Sequence, residues 1–378
     1  MIKKIIILPL QYPDSKNDFS GIFVKKYAEM FAKNDYDTSV FYNNFISLKK
    51  IKITNFFIKY FFFIDSGVKN YHTHLYSPFF NFIKLKIDYY LSNKKLTNYI
   101  ERYGKPDLLI CHFSFPTGYT AKKLSNRYNI PYVIIEHSTG FFTNLYNKYQ
   151  LTIIKKSLDS ASFIFPVSNF LKNKIRLLTN NPNIKVIGNI VDNNFFLKKK
   201  KKNNKKIKFI VIAQLVEKKN IYNLLKIFKD IRHKYDFELS IVGKGTEEKK
   251  LKQYVLLNRL DKNIKFYGSL TSEKISKLLD LHHFLLSCSK VETFGISIAE
   301  AMAKGIPAII MNSGGPKDFS KNFNSISVSN FHEMKKVIIE NIIKKKLFNT
   351  KKISFYIKKN FSENIIFNKF NKIFKKIR

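Results

Sequence analysis

Short, almost wholly apolar runs alternate with helically spaced segments along this chain, and the series breaks once and begins again. Lys4–Leu8 reads as a buried strand, and Ile22, Tyr27, Met30 and Phe31 give residues 21–33 a helical apolar face. Further strands are predicted at 38–42, 107–111, Tyr132–Glu136 and 162–166, with helices over 118–128 and around Phe170, Ile175 and Leu178. Residues 198–206 are lysine and asparagine almost throughout, the composition of an exposed linker. Beyond them the rhythm resumes with strands at 208–213, 238–242, 265–267, Phe284–Ser287 and Ala308–Met311, and helices at Ile221–Ile231 and 247–257. Strands that are apolar on both faces and separated by helices belong to a mostly parallel sheet covered on both sides. Two such units fit a length of 378 residues. The expected division is 1–197 for the first, with an aromatic and basic insertion around 45–104, and 207–354 for the second. Residues 355–378 are expected to form a C-terminal helix. Ligands of such folds bind beyond the carboxyl ends of the strands, which in a two-domain chain points to the cleft between them.

The formal net charge of +41 admits nucleic acid or an anionic membrane surface as a partner. The lysines are spread over nearly every predicted helix and form no aromatic–basic recognition motif, which argues against nucleic acid. Cys111 and Cys288 lie far apart without a CxxC partner and read as reduced thiols of a cytoplasmic protein. The apolar run 5–8 ends at Pro9, too short for a secretory signal, and no stretch of about 20 apolar residues is present.

The interval between the strands near 42 and 107 is longer than one α/β unit requires. In it Phe79, Ile83, Ile87 and Tyr90 recur at helical spacing, with Lys84, Asp88, Ser92 and Lys95 on another face. Phe56, Phe57, Phe61, Phe62 and Phe63 stand beside Lys49, Lys50, Lys52 and Lys59. An aromatic face flanked by lysines suits the interface of an anionic membrane, which predicts a peripheral protein on its inner face. An internal helical cover is the alternative.

The most informative stretch is VETFGISIAEAMAKGIPAII, residues 291–310. A polar loop after a strand leads to a helix starting near Gly295, whose free backbone N–H groups suit a phosphate. Gly295, Ala299 and Ala303 allow close approach, while Glu292 precedes the helix and Glu300 lies within it. An ordinary amphipathic helix is the plainer reading of the same pattern. In IVGKGTEE, Gly243 and Gly245 flank Lys244 after a strand and permit a tight phosphate-side turn, although neither a Walker motif nor GxGxxG is formed. Lys219 follows the first strand of the second series and can neutralise a diphosphate. His137 ends the strand YVIIE, where a ligand contact and a structural role are both open. His72 with His74, and His282 with His283, lack carboxylates or thiols at a recognisable ligand spacing, so no metal is assigned. Asp35 and Asp37 read as a turn.

Together these residues resemble the retaining glycosyltransferase family 4 of GT-B architecture, in particular enzymes of bacterial polysaccharide assembly. The resemblance rests on ETFGISIAE with its E-x7-E spacing, then AMAKGIPAI and GGPKDF. It extends to GIFVKKYAEMFAK, IPYVIIEHSTGF, FPVSNFLKNKI, GNIVDNNFF, VIAQLVEKKN and LSIVGKGTEEKKLK, over roughly residues 1–45 and 105–325. It implies an α/β fold of two Rossmann-like domains facing an interdomain cleft, with the helix of 355–378 packing back on the first domain. It further implies transfer of a hexose or N-acetylhexosamine from a nucleotide-diphosphate sugar, UDP before GDP-mannose, to a saccharide or lipid-linked acceptor. By position, Glu300 would bind the donor ribose and Glu292 the transferred sugar. Phe294 and Gly295 would offer backbone groups, Lys219 would neutralise the phosphates, His137 would touch the sugar, and Gly21 would face donor and acceptor. The family's usual arginine is replaced, since Ala213 and Gln214 precede Leu215; weaker diphosphate stabilisation or compensation by Lys218 or Lys244 follows. Retention without a protein nucleophile and without a cofactor or metal is implied, the departing phosphate accepting the acceptor's proton. Hydrolysis or epimerisation of a nucleotide sugar is the nearest alternative, and nucleic-acid binding the alternative of another class.

Overall fold

In the computed structural model, seven strands of the first unit assemble in the order β3-β4-β2-β1-β5-β6-β7. The structure describes residues 2–15, 18, 20–47, 58–77, 81–197, 206–344 and 348–377. Residues 198–205 of the lysine–asparagine run, Lys49, Lys50, Lys52, Phe56, Phe57 and Phe79 therefore lie outside the described residues. The chain divides into two compact units, 1–190 with 366–378, and 191–365. The first junction falls at Ile190, a few residues before the expected 197.

The first unit runs β1 (Lys4–Leu8), α1 (Ile22–Lys33), β2 (Asp37–Ser47), β3 (Ile58–Asp65), β4 (Val68–Ser77), α2 (Asn81–Tyr103) and β5 (Leu108–His112). It continues with α3 (Thr117–Tyr128), β6 (Tyr132–Glu136), α4 (Lys148–Ser160), β7 (Phe163–Pro166) and α5 (Asn169–Arg176). Ile5, Ile6 and Ile7 are fully buried between parallel neighbours β2 and β5, which is why this strand reads as an unbroken apolar run. β1 is the switch point, where successive connections turn to opposite sides of the sheet.

The insertion is not the all-helical cover that was the alternative to a membrane face. Its first part is an antiparallel hairpin of β3 and β4, closed by Ser66 and Gly67, both at positive φ as a two-residue hairpin turn requires. Phe61, Phe62 and Phe63 therefore sit on an edge strand. The helical spacing is real in α2, yet its polar seam faces inward. Asn43 donates to Asp88 at 2.8 Å and to Ser92 at 2.9 Å, and Lys95 donates to Tyr42 O and Asn43 Oδ1 at 2.8 and 2.7 Å. Leu85, Leu91, Leu96 and Tyr99 complete the buried side, while Ile83 and Tyr90 are exposed. Burial pushes Lys95 down to about 7, against the attraction of Asp88.

The second unit runs β8 (Ile207–Ile212), α6 (Ile221–Ile231), β9 (Phe237–Val242), α7 (Glu248–Leu257), β10 (Ile264–Gly268), α8 (Ser272–Leu279) and β11 (Phe284–Ser287). α9 (Ile296–Ala303), β12 (Ala308–Met311), β13 (Ser325–Val328), α10 (Phe331–Lys344) and α11 (Thr350–Phe361) complete it. Its parallel sheet has the order β10-β9-β8-β11-β12-β13, with the switch point at β8. The C-terminal segment is two helices, not one. α11 belongs to the second unit, and α12 (Glu363–Phe374) carries Ile366, Phe370 and Phe374 into the first. Phe370 meets Tyr27, Phe31 and Phe165 at centroid distances of 5.8, 5.4 and 5.1 Å. Cys111 and Cys288 are both buried free thiols.

Candidate functional site

At the switch point of the second unit, the loops after β8 and β11 run side by side. Lys290 N–H donates to Lys218 O at 2.9 Å, and Lys219 Nζ pairs with Glu292 Oε1. Both side chains of that pair are only 16% exposed. A narrow cavity beside them is lined by Ile212, Ala213, Ser287, Ser289 and Ser297. Larger surface depressions lie around Lys229, Arg232 and Asn263 and around Lys3, Asp107 and Asn129, at the amino ends of the strands and away from the ligand edge of this fold.

The Glu292 loop is fixed by its backbone. Glu292 N–H donates to Ser313 O and Gly315 N–H donates to Glu292 O, each at 2.8 Å. A Cβ on Gly315 would stand 2.0 Å from Thr293 O, so only glycine lets the two chains pass. Phe294 is buried against Phe319 and Phe361, each at 5.2 Å, which leaves only its main chain to the site. Gly295 caps α9 at φ 84 without a side-chain hydrogen bond, and no acidic residue stands in the first turn. The first-turn N–H groups of a helix have no intrahelical acceptor, so this end presents positive partial charge. Glu300 is buried one turn further along.

Gly243 and Gly245 have a different explanation from the one the sequence suggested. A Cβ on Gly243 would lie 1.9 Å from Ala213 O, and one on Gly245 would lie 2.3 Å from Leu215 O. Leu215 N–H donates to Lys244 O at 2.9 Å across the same crossing. The glycines thus admit the 213–215 backbone, and the side chains of Gln214 and Lys244 are left exposed beside it.

In the first unit the carboxyl ends of β5 and β6 carry His112 and His137, with His112 Nδ1 3.1 Å from His137 Nε2 and the rings stacked at 11°. Burial pushes His137 down to about 3, against a hydrogen bond to Asn189 that favours its charged form. Burial and the neighbouring ring push His112 well below the ordinary value. His137 is thus neutral at physiological pH and can share a hydrogen bond but not deliver charge. Its backbone is held by Glu136, whose buried carboxylate accepts from Ser114 N–H at 2.7 Å, Ser114 Oγ at 2.6 Å, and His137 and Ser138 N–H at 2.8 Å. Phe23 lies 4.7 Å from His137 and stands two residues after Gly21, whose φ of 69 and close approach to Gln11 O require glycine. His112 and Glu136 were not singled out from the sequence. The signal available was that each ends an apolar strand with an ionisable residue, as His137 follows one.

Residues 21–195 match the family model described as Glycosyltransferase Family 4, and residues 192–352 match Glycosyl transferases group 1. Each half of the chain therefore matches a glycosyltransferase family model, and the two matches together run from residue 21 to residue 352. An uncharacterised glycosyltransferase of Methanocaldococcus jannaschii is 26% identical over 238 residues, 61% of this chain and 62% of that one. Matches to the first curated relatives span 57–62% of their length. Sucrose-phosphate synthase from Thermosynechococcus elongatus aligns with a TM-score of 0.79 at 15% identity, over 99% of both chains. Anabaena HepE in complex with UDP and glucose aligns with a TM-score of 0.75 at 16% identity, over 99% of this chain and 100% of that one. At these identities the structural likeness establishes the fold, two Rossmann-like units of GT-B type.

The depressed pKa of His137 makes this GT-B protein's stability depend on pH. Unfolding lets the imidazole take a proton below its ordinary 6.5, whereas the folded side chain stays neutral to about 3. The unfolded state then binds more protons, so stability falls as pH drops through that window. His137→Gln should lose stability less steeply than the parent between about pH 6.5 and 4.5 in urea titrations. Parallel curves would contradict a neutral, desolvated His137.

Proposed function

We propose that the chain transfers a hexose or N-acetylhexosamine from a UDP-sugar to a saccharide or lipid-linked acceptor, keeping the configuration at the anomeric carbon. The observation that carries this reading is the meeting of Lys219 and Glu292 at the β8 switch point, beside the uncapped start of α9. A cation and unpaired N–H groups oriented before the reaction stabilise charge developing on a departing diphosphate. Glu292 holds Lys219 in the absence of donor, and a diphosphate replaces the carboxylate as the lysine's partner. Glu292 is then left to hydrogen-bond the transferred sugar, and Glu300 to bind the ribose. Lys218, Lys244 and Lys290 supply the positive field that Gln214 does not. His137 acts as a neutral hydrogen-bonding group, as the resemblance implies, and the leaving phosphate takes the acceptor's proton. UDP is favoured as the nucleotide because the UDP-bound Anabaena protein shares the fold over nearly the whole chain.

The two acids separate experimentally. Glu300→Ala is expected to raise the donor KM about tenfold or more, the loss of one or two hydrogen bonds from a charged group. Glu292→Ala is expected to lower kcat far more than it changes donor KM. The product should keep the donor's anomeric configuration by NMR. Unchanged kinetics in both variants would remove the pair from the active site, and sugar release without an acceptor product would indicate a hydrolase.

The same reading puts the first unit on an anionic membrane surface where a lipid-linked acceptor is held. Tyr60, Phe62 and Ile64 alternate along β3, share one face and are 58%, 56% and 63% exposed. Lys94 stands 5.9 Å from the Tyr60 ring, so this apolar face carries positive charge at its edge. Among the described residues no helix is long and apolar enough to cross a membrane. Co-sedimentation with liposomes should rise with phosphatidylglycerol content and fall several-fold in a folded Tyr60→Ser, Phe62→Ser, Ile64→Ser variant. Equal recovery in the supernatant with neutral and anionic liposomes would reject membrane attachment while leaving transfer to a soluble acceptor intact.

A further inference from the structure

A second polar constellation in the first unit has no part in the proposed sugar transfer. His72 and His74 stand two positions apart on β4 and so project from one face of the sheet. The segment after β1 brings Asp14 against both. Its Oδ1 lies 3.2 Å from His72 Nδ1 and 3.0 Å from His74 Nε2, and the three atoms are all within 4.8 Å of one another. Asn44, the register partner of His74 on β2, donates to the other carboxylate oxygen at 2.6 Å and fixes its direction.

Hydrogen bonding explains this arrangement incompletely. Two imidazoles would have to donate to a single oxygen. The surroundings of His72 are aromatic, with Tyr12, Tyr42 and Phe63 at 5.4, 5.2 and 5.0 Å. Imidazole nitrogens with a carboxylate oxygen are a donor set that suits a transition metal.

We propose that Asp14, His72 and His74 bind one Zn²⁺-type transition-metal ion, which clips the β1–α1 segment to strand β4. Ligands about 2.0–2.1 Å from a tetrahedral ion stand roughly 3.3 Å apart, close to the two separations observed. Two nitrogens with one oxygen favour Zn²⁺ over Mg²⁺ or Ca²⁺, which prefer all-oxygen sets. His74 and Asp14 both reach solvent, which leaves the fourth position to water. Asp14 follows the carboxyl end of β1 in the chain, so the ion would tie the backbone leaving that strand to β4. This role is structural and independent of the sugar-transfer reading.

The test uses the full chain, stripped with EDTA, dialysed and titrated with Zn²⁺ alone. One Zn²⁺ per chain, a rise in Tm on binding and no response to Mg²⁺ or Ca²⁺ are expected. Co²⁺ in place of Zn²⁺ should give the visible absorption of a four-coordinate site. His74→Ala, at the partly exposed ligand, and Asp14→Asn, which keeps the side chain's shape, should each weaken Zn²⁺ binding at least tenfold and abolish the Tm rise. A parent chain that binds no Zn²⁺ at micromolar concentration would overturn the proposal. So would unchanged stoichiometry and affinity in both variants, or variants that alter the metal-free Tm of a parent with no zinc response.

Discussion

Backbone packed directly on backbone, at three glycines, holds the polar loops of the second unit in place. Gly243 and Gly245 let the chain after β9 cross the chain after β8, and Gly315 lets the chain after β12 cross the loop after β11. Each crossing brings carbonyl oxygen to within 1.9–2.3 Å of where a Cβ would be, so no other residue is tolerated without moving the loops. Lys219 and Glu292 stand between these crossings, on loops tied to each other by Lys290 and Lys218. The acid–base pair is thus positioned by main-chain contacts that need no ligand to form. Preorganisation of this kind lets a polar group act on developing charge without first being reoriented.

The strands buried on both faces were legible in the sequence because their side chains are apolar except for, at most, one residue at an end: Lys4–Leu8, Tyr132–Glu136, Phe284–Ser287 and Ala308–Met311 stand where the runs predicted. The Glu292–Glu300 spacing was legible because both acids belong to one local motif around the start of α9. The inward face of α2 was not. Asp88, Ser92 and Lys95 look like a solvated stripe until Asn43 and Tyr42, some fifty positions away, satisfy them. β3 was missed because both of its faces are exposed, so YFFFI shows no alternation to distinguish strand from helix. The meeting of Asp14 with His72 and His74 is likewise set by the parallel pairing of β2 with β4, which local spacing does not encode.

Burial governs the chemistry of the first unit as backbone crossings govern that of the second. His112 and His137 stack at the ends of adjacent strands, and desolvation keeps both neutral. Glu136 beneath them is pulled both ways, with burial the larger effect. Burial raises its pKa while four hydrogen bonds favour its charge, and the result is a loop whose direction is fixed by one carboxylate. The two units thus present different functional groups, neutral hydrogen-bonding rings in one and a charged pair with helix-end N–H groups in the other.

Recognition of a diphosphate by the second unit is the claim on which the functional reading rests, and comparative calorimetry addresses it most directly. Uridine, UMP and UDP would be titrated into the full chain and into a folded Lys219→Met variant. UDP should bind the parent at least about tenfold more tightly than UMP, the worth of one charge-assisted contact to the second phosphate. That advantage should collapse in the variant while uridine binding stays the same. Equal affinity of the parent for UDP and UMP, or no binding of either, would contradict the account.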